Sequence, residues 1–183
     1  MGLRKIINDC RNMLLFRIKY RWVRHGRNVH CRTNARFRSP HRHTILGNDV
    51  GIGHYCMFYC DTEIGDKVMI ASQVAFLNSD EHRYDIVGKS IWDSGNGCAH
   101  KIIVEDDVWI GHGAILLSPL RIGRGSIVAA GSVVVRDVPR YSIVGGVPAK
   151  VLKMRFTPEQ IRDHEAILWK NERLASDEPM ATQ

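Results

Sequence analysis

A six-residue period between Leu46 and Pro139 constrains this chain more than any other feature. Every sixth residue from Leu46 gives Leu46, Ile52, Phe58, Ile64, Ile70 and Phe76. After a break the frame resumes as Val104, Ile110, Leu116, Ile122, Val128 and Val134. All of these are aliphatic or aromatic, and the residue that follows is repeatedly small, as at Gly47, Gly53, Gly65, Ala71, Gly111, Gly123 and Ala129. A helix repeats every 3.6 residues and a strand every two. A fixed period of six instead marks a solenoid, in which each repeat is one short strand and a turn and buries its apolar residue only against neighbouring repeats. Three hexads close one triangular coil, with the first residue of each pointing inward onto its equivalent one coil away.

The break in the frame is equally informative. Phe76 and Val104 are 104 − 76 = 28 residues apart, four hexads with four residues over. Residues 78–101 are polar and rich in turn formers, as in Asn78-Ser-Asp-Glu-His82-Arg-Tyr-Asp85 and Ser94-Gly-Asn-Gly97. A long loop leaving a compact rod is a functional candidate.

Length and composition narrow the class. A chain of 183 residues reads as one domain. Its segments are 1–44 (a helix and an irregular first coil), 45–139 (the repeat, with loop 78–101) and 140–183 (a C-terminal extension and helix). No apolar run approaches the ~20 residues of a membrane span. The start, Met1-Gly-Leu-Arg-Lys-Ile, has neither a myristoylation pattern nor the apolar core of a signal peptide. An odd set of cysteines (Cys10, Cys31, Cys56, Cys60 and Cys98) without a CxxC pair favours reduced thiols in the cytosol. Cys56 and Cys60 lack metal-ligand spacing and read as core packing.

The net charge of +7 is concentrated before the repeat, from Arg4 to Arg42. It suits an anionic partner, but no nucleic-acid motif accompanies it. Residues 3–24 form an imperfect amphipathic helix that either caps the open end of the solenoid or lies on a membrane surface. Arg136-Asp-Val-Pro139 ends the ladder on this reading, because proline cannot donate in a central strand. Gly145-Gly-Val-Pro148 is a turn. Thr157-Pro-Glu-Gln160 is a capping box that opens a helix running to about Leu174.

Three segments resemble the hexapeptide-repeat acyltransferases: Ile103-Val-Glu-Asp-Asp-Val-Trp-Ile-Gly111, Ile122-Gly-Arg-Gly-Ser-Ile-Val-Ala-Ala-Gly-Ser-Val-Val134 and Ile143-Val-Gly-Gly-Val-Pro-Ala-Lys150. The resemblance covers roughly residues 45–156. It implies a mainly β fold, a left-handed parallel β-helix solenoid with an N-terminal helix, an extruded loop and a C-terminal helix. It also implies a homotrimer, acetyl-CoA as co-substrate, no metal, and direct transfer in a ternary complex.

Acyl transfer to a hydroxyl needs a base, oxyanion donors and aligned substrates. Histidine suits the base role because it titrates near neutrality. The family's catalytic histidine maps onto His82, with Asp80, Glu81 or Asp85 available to orient its ring. The family's pantetheine groove maps onto His112, Ala130, Gly131 and Ser132. Lys150 and Lys153 map onto the residues that meet the nucleotide phosphates, with Arg155 as an extra candidate. Trp109 points outward at a corner and reads as an acceptor contact or a packed aromatic at the trimer interface. Asp85 is a second substrate contact.

The resemblance to the polysaccharide branch implies O-acetylation of a sugar hydroxyl of a bacterial surface polysaccharide or its precursor, in the cytoplasm or at the inner membrane face. An antibiotic O-acetyltransferase is the near alternative. A gamma-type carbonic anhydrase would need three rung histidines. His25 and His30 have the spacing but precede the repeat, and His112 lacks a partner at Leu117. A non-catalytic trimeric scaffold is the third alternative.

Overall fold

The computed structural model describes residues 11–12, 14–79 and 81–169. Their chain winds into stacked three-strand coils. The first coil is β1 (Arg24–His25), β2 (His30–Cys31) and β3 (Arg36–Phe37); the second is β4 (Thr44–Leu46), β5 (Gly51–Ile52) and β6 (Met57–Phe58). The third is β7 (Asp61–Ile64), β8 (Met69–Ile70) and β9 (Ala75–Asn78). Next come β10 (Lys101–Val104), β11 (Trp109–Ile110) and β12 (Ile115–Ser118), then β13 (Leu120–Ile122), β14 (Ile127–Val128) and β15 (Val133–Val134). Equivalent strands pair in parallel into three faces. The first face is β1-β4-β7-β10-β13, and the third is β3-β6-β9-β12-β15. The second face is β2-β5-β8-β11-β14 and continues into β16 (Ser142–Gly146) and β17 (Ala149–Met154).

The hexad positions are the core. Leu46, Ile52, Phe58, Ile64, Ile70, Phe76, Val104, Ile110, Leu116, Ile122, Val128 and Val134 are all buried. Under the third face Phe37, Phe58 and Phe76 stack with ring centroids 4.6 Å apart and planes within 9° and 16° of parallel. Where a glycine follows an inward position, the cause is steric. A Cβ on Gly111 would lie 2.5 Å from the Ala130 nitrogen of the next coil.

The two ends of the rod compare differently with the sequence reading. The first coil stacks in register on the second, His25 pairing with Leu46, Cys31 with Ile52 and Phe37 with Phe58, but it is irregular: the step is 46 − 25 = 21 residues where the next coil takes 64 − 46 = 18, and His25 is exposed. Its hexad frame is hidden in the sequence because Phe37 and Leu46 are 46 − 37 = 9 residues apart instead of six, and because His25 and Cys31 are weak apolar markers. Pro139 does not end the ladder, since β16 pairs in parallel with β14 through Ile143 and Val144. Before Pro139 the buried Val138 still makes a parallel bridge to Ile122 on the first face, and an antiparallel partner, β17, closes the second face after β16.

Both ends are covered by side chains from outside the repeat. Near the N-terminus a helical turn ends in a π-helical stretch, Leu15–Lys19. Phe16 from this stretch is buried against His25 and Phe37. Asn12 donates to Val29 O at 3.0 Å and accepts from Cys31 N at 3.2 Å, satisfying the open edge of β2. This is the capping role, seen in the part of the expected helix that lies within the described residues. At the other end α1 (Pro158–Leu168) begins with the expected capping box between Thr157 and Gln160. The last residues of its expected span lie outside the described ones. Arg155 donates to Asp107 at 2.6 Å and to Gly125 O at 3.0 Å, and its guanidinium lies over Phe156. Through Nη1 it fastens the C-terminal segment to the rod.

Candidate functional site

The loop leaves the rod after β9 on the third face and re-enters at β10 on the first. It is pinned at its base by Asn78. The Asn78 amide donates to Cys98 O at 2.7 Å, while its carbonyl accepts from His100 N at 3.1 Å and from the Ser118 hydroxyl at 2.9 Å. One side chain thus ties both ends of the loop to the neighbouring coil. Above it the chain runs back on itself: His82 bridges Asn96, Arg83 N donates to Gly95 O, and Gly97 N donates to Glu81 O. The result is a cleft of about 570 Å³ lined by His82, Arg83, Tyr84, Asp85, Asn96, Gly97, Cys98 and His100.

Of the acidic residues offered as orienters for His82, Asp85 is engaged elsewhere. It receives Arg83 Nε at 3.1 Å and Nη2 at 3.2 Å, and this pairing holds its carboxyl below the usual carboxylate range. Asp80 lies outside the described residues. The fixed carboxylate of Asp85 is therefore an acceptor of hydrogen bonds at the cleft wall. The thiols divide sharply by environment. Burial pushes Cys31 up to about 12 and Cys60 up to about 11, and raises Cys56 as well. These are protonated core groups, whereas Cys98 is exposed in the cleft. Among the described residues no group of His, Cys, Asp and Glu comes together as a metal-holding set.

The residues matched to the coenzyme groove lie elsewhere on the rod. His112 follows β11 and Ala130–Gly131 follow β14, so they share the edge between the second and third faces, with Gly131 N donating to His112 O at 2.8 Å. His112, Ala130 and Gly131 are exposed. Ser132 is buried, and its hydroxyl donates inward to Ala129 O at 2.7 Å. Lys150 and Lys153 sit on β17 opposite Gly145 and Ile143, and the irregularity between Ile143 and Val144 lets both lysines share the outward side. Trp109 lies within β11 rather than at a corner, because Trp109 and Ile110 are themselves the strand; its side chain is 49% exposed on the second face.

The sequence reading missed Asn78 as a clamp. The register was its available signal: Asn78 pairs with Ser118, and both stand two residues beyond an inward position. Asn96 and Cys98 gave no such signal, since only the folded loop brings them to His82.

Residues 101–136 match the family described as bacterial transferase hexapeptide (six repeats). A chloramphenicol acetyltransferase of Klebsiella aerogenes is 31% identical over 154 residues, covering 80% of this chain and 71% of that protein. The chain belongs to the hexapeptide-repeat acyltransferase family. Its fold is the left-handed parallel β-helix of that family. A hexapeptide-repeat acetyltransferase of Vibrio cholerae superposes with a TM-score of 0.56 at 28% identity, covering 82% of each chain. AntD, an N-acyltransferase from Bacillus cereus crystallised as a point mutant with dTDP and coenzyme A, shares the fold with a TM-score of 0.63 at 22% identity. That match covers 88% of this chain and 95% of AntD.

Proposed function

We propose that this protein is an acetyl-CoA-dependent O-acetyltransferase acting on a sugar hydroxyl of a bacterial surface polysaccharide or its precursor. It works as a homotrimer whose sites are shared between subunits. One observation carries this reading. The His82 cleft stands where the third face meets the first, whereas His112, Ala130 and Gly131 stand where the second meets the third. Base and groove are thus a full face apart on one chain. A cyclic trimer of parallel rods sets the loop of one subunit against the groove of the next and yields three equal sites. The loop also carries Tyr84, Val87, Ile91 and Trp92, 60% to 100% exposed, an apolar surface suited to a neighbouring rod.

In this site His82 takes the proton of the acceptor hydroxyl as its oxygen attacks the thioester carbon. The carbon–sulfur bond then breaks and the proton passes to the departing sulfur. Acetyl-CoA supplies the activated acyl group. Ala130 and Gly131 offer an open backbone edge for its pantetheine arm, and Lys150 and Lys153 offer cations for its phosphates. Asp85 accepts from sugar hydroxyls, and Trp109 provides an apolar ring surface. The reaction takes place in the cytoplasm, with the basic N-terminal region at the inner membrane face.

The likeness to chloramphenicol acetyltransferase favours a second reading, an antibiotic O-acetyltransferase using the same machinery. An acceptor screen with labelled acetyl-CoA separates the two, with oligosaccharides and nucleotide sugars against chloramphenicol and other drugs. The shared site is tested by mixing His82→Ala with Ala130→Trp after dissociation. Mixed trimers recover activity if loop and groove come from different chains. Verified mixed trimers without activity would place each site within one chain.

A further inference from the structure

The second face carries a row of outward residues in register: His30, Gly51, Met69 and Trp109. Gly51 interrupts that row. A Cβ built there meets no atom within 4 Å, so the missing side chain leaves a notch rather than a close contact. Strands lie ~4.8 Å apart, so the opening between the His30 and Met69 strands spans ~10 Å, enough for a phosphate or a flat ring. The cleft measures about 470 Å³ and its floor includes Gly53 and Ala71.

The two walls differ in chemistry. On one side are Arg11, His30 and Arg32; on the other are Met69 and Trp109. Among the described residues no aspartate or glutamate lines the cleft. Arg11 is held in place by donating through Nε and Nη2 to Cys31 O, at 3.2 and 2.8 Å, which uses two of the five N–H donors of its guanidinium. Arg32 is exposed and forms no ion pair among the described residues. Guanidinium forks match phosphate oxygens, and an exposed indole face takes a planar base or an aliphatic chain.

We propose that this cleft binds a phosphate or diphosphate ester whose other half is planar or apolar. The phosphate lies at Arg11, His30 and Arg32, and the remainder lies over Met69 and Trp109. Naming that ligand as the carrier end of the sugar acceptor rests on the function proposed above; the binding itself does not. A nucleotide sugar and a lipid-linked sugar share this chemistry.

The test is titration calorimetry on the full-length protein with three probes: uridine diphosphate, inorganic pyrophosphate, and phosphatidylcholine vesicles containing a polyprenyl phosphate. The variants are Arg32→Gln, which removes a cation from an exposed position, and Gly51→Leu, which fills the notch. Should Gly51→Leu not fold, Arg32→Gln carries the comparison. Uridine diphosphate or the vesicles are expected to bind more tightly than pyrophosphate, and whichever does so identifies the source. Arg32→Gln is expected to weaken that binding about tenfold, the size of one lost charge-assisted hydrogen bond, and Gly51→Leu to weaken it by occupying the notch, while coenzyme A affinity and the circular dichroism spectrum stay unchanged. Three results overturn the proposal: no probe binds, binding is the same in wild type and variants, or pyrophosphate binds as well as either ester. Loss of coenzyme A affinity in the variants also overturns it, by making the cleft part of the coenzyme site. Probe binding without acetyl transfer to any acceptor would sink the proposed function and leave the cleft standing.

Discussion

The rod and its loop are built on opposite principles. In the rod every inward residue is fixed by equivalents above and below, as in the Phe37–Phe58–Phe76 stack. At its corners Asp66 accepts from Asn48 N at 2.7 Å, and Asp106 accepts from Asp66 N at 2.8 Å. The loop has no repeat to lean on. Its base is pinned by the side chain of Asn78, and its functional candidates His82, Arg83, Asp85 and Cys98 face solvent. Redundant contacts make stability, while a sparsely held polar loop leaves groups free for substrate. Substitutions in the two regions are therefore expected to separate activity from stability.

The widest separation is expected at His82. His82→Ala lowers turnover ~10²–10⁴-fold, the usual cost of losing a general base, with the melting temperature unchanged. Steady-state kinetics beside a thermal melt checks both halves, and turnover within about threefold of wild type would remove His82 from the base role. Phe58→Ala is the converse. Removing the middle ring of a buried stack costs about 3–5 kcal/mol of stability, read by denaturant unfolding, because rings on both sides lose their partner.

A smaller effect belongs to the coenzyme end. Replacing Lys150 and Lys153 together by Ala raises the apparent KM for acetyl-CoA about tenfold and leaves kcat nearly unchanged, the signature of lost ground-state binding. Unchanged coenzyme A affinity by calorimetry would move the phosphate contacts elsewhere.

The smallest expected effect is a pH dependence where β7 of the third coil meets the segment joining the first two coils. Burial works to raise the Asp61 carboxyl, but hydrogen bonds from Ser39 and His41 outweigh it and hold Asp61 below the usual range. Glu63 is lowered mainly by Lys101, against its own burial, with help from His43. A carboxyl lowered in the folded state contributes stability above its unfolded value of about 4, and this is lost as pH falls through the folded value. The melting temperature is expected to decline as pH drops below about 4, with a shallower decline in Asp61→Asn. An identical slope in the variant would show that this carboxylate contributes nothing.

The sequence by itself determined the rod. A period of six admits few folds, and the inward residues from Leu46 to Val134 repeat often enough to set coil boundaries, core and the place of the loop. It also supplied the capping box at Thr157 and Gln160, because that signal is local. The first coil and the last strand pair were harder to read. His25 and Cys31 do not announce an inward position, and nothing local to Ser142–Met154 says which earlier strand it will join. Tertiary structure alone decided what meets what across coils. It paired Asn78 with both loop ends, joined Arg155 to Asp107, and set Gly51 between His30 and Met69. These contacts join residues far apart in sequence, so their partners become neighbours only when the coils stack.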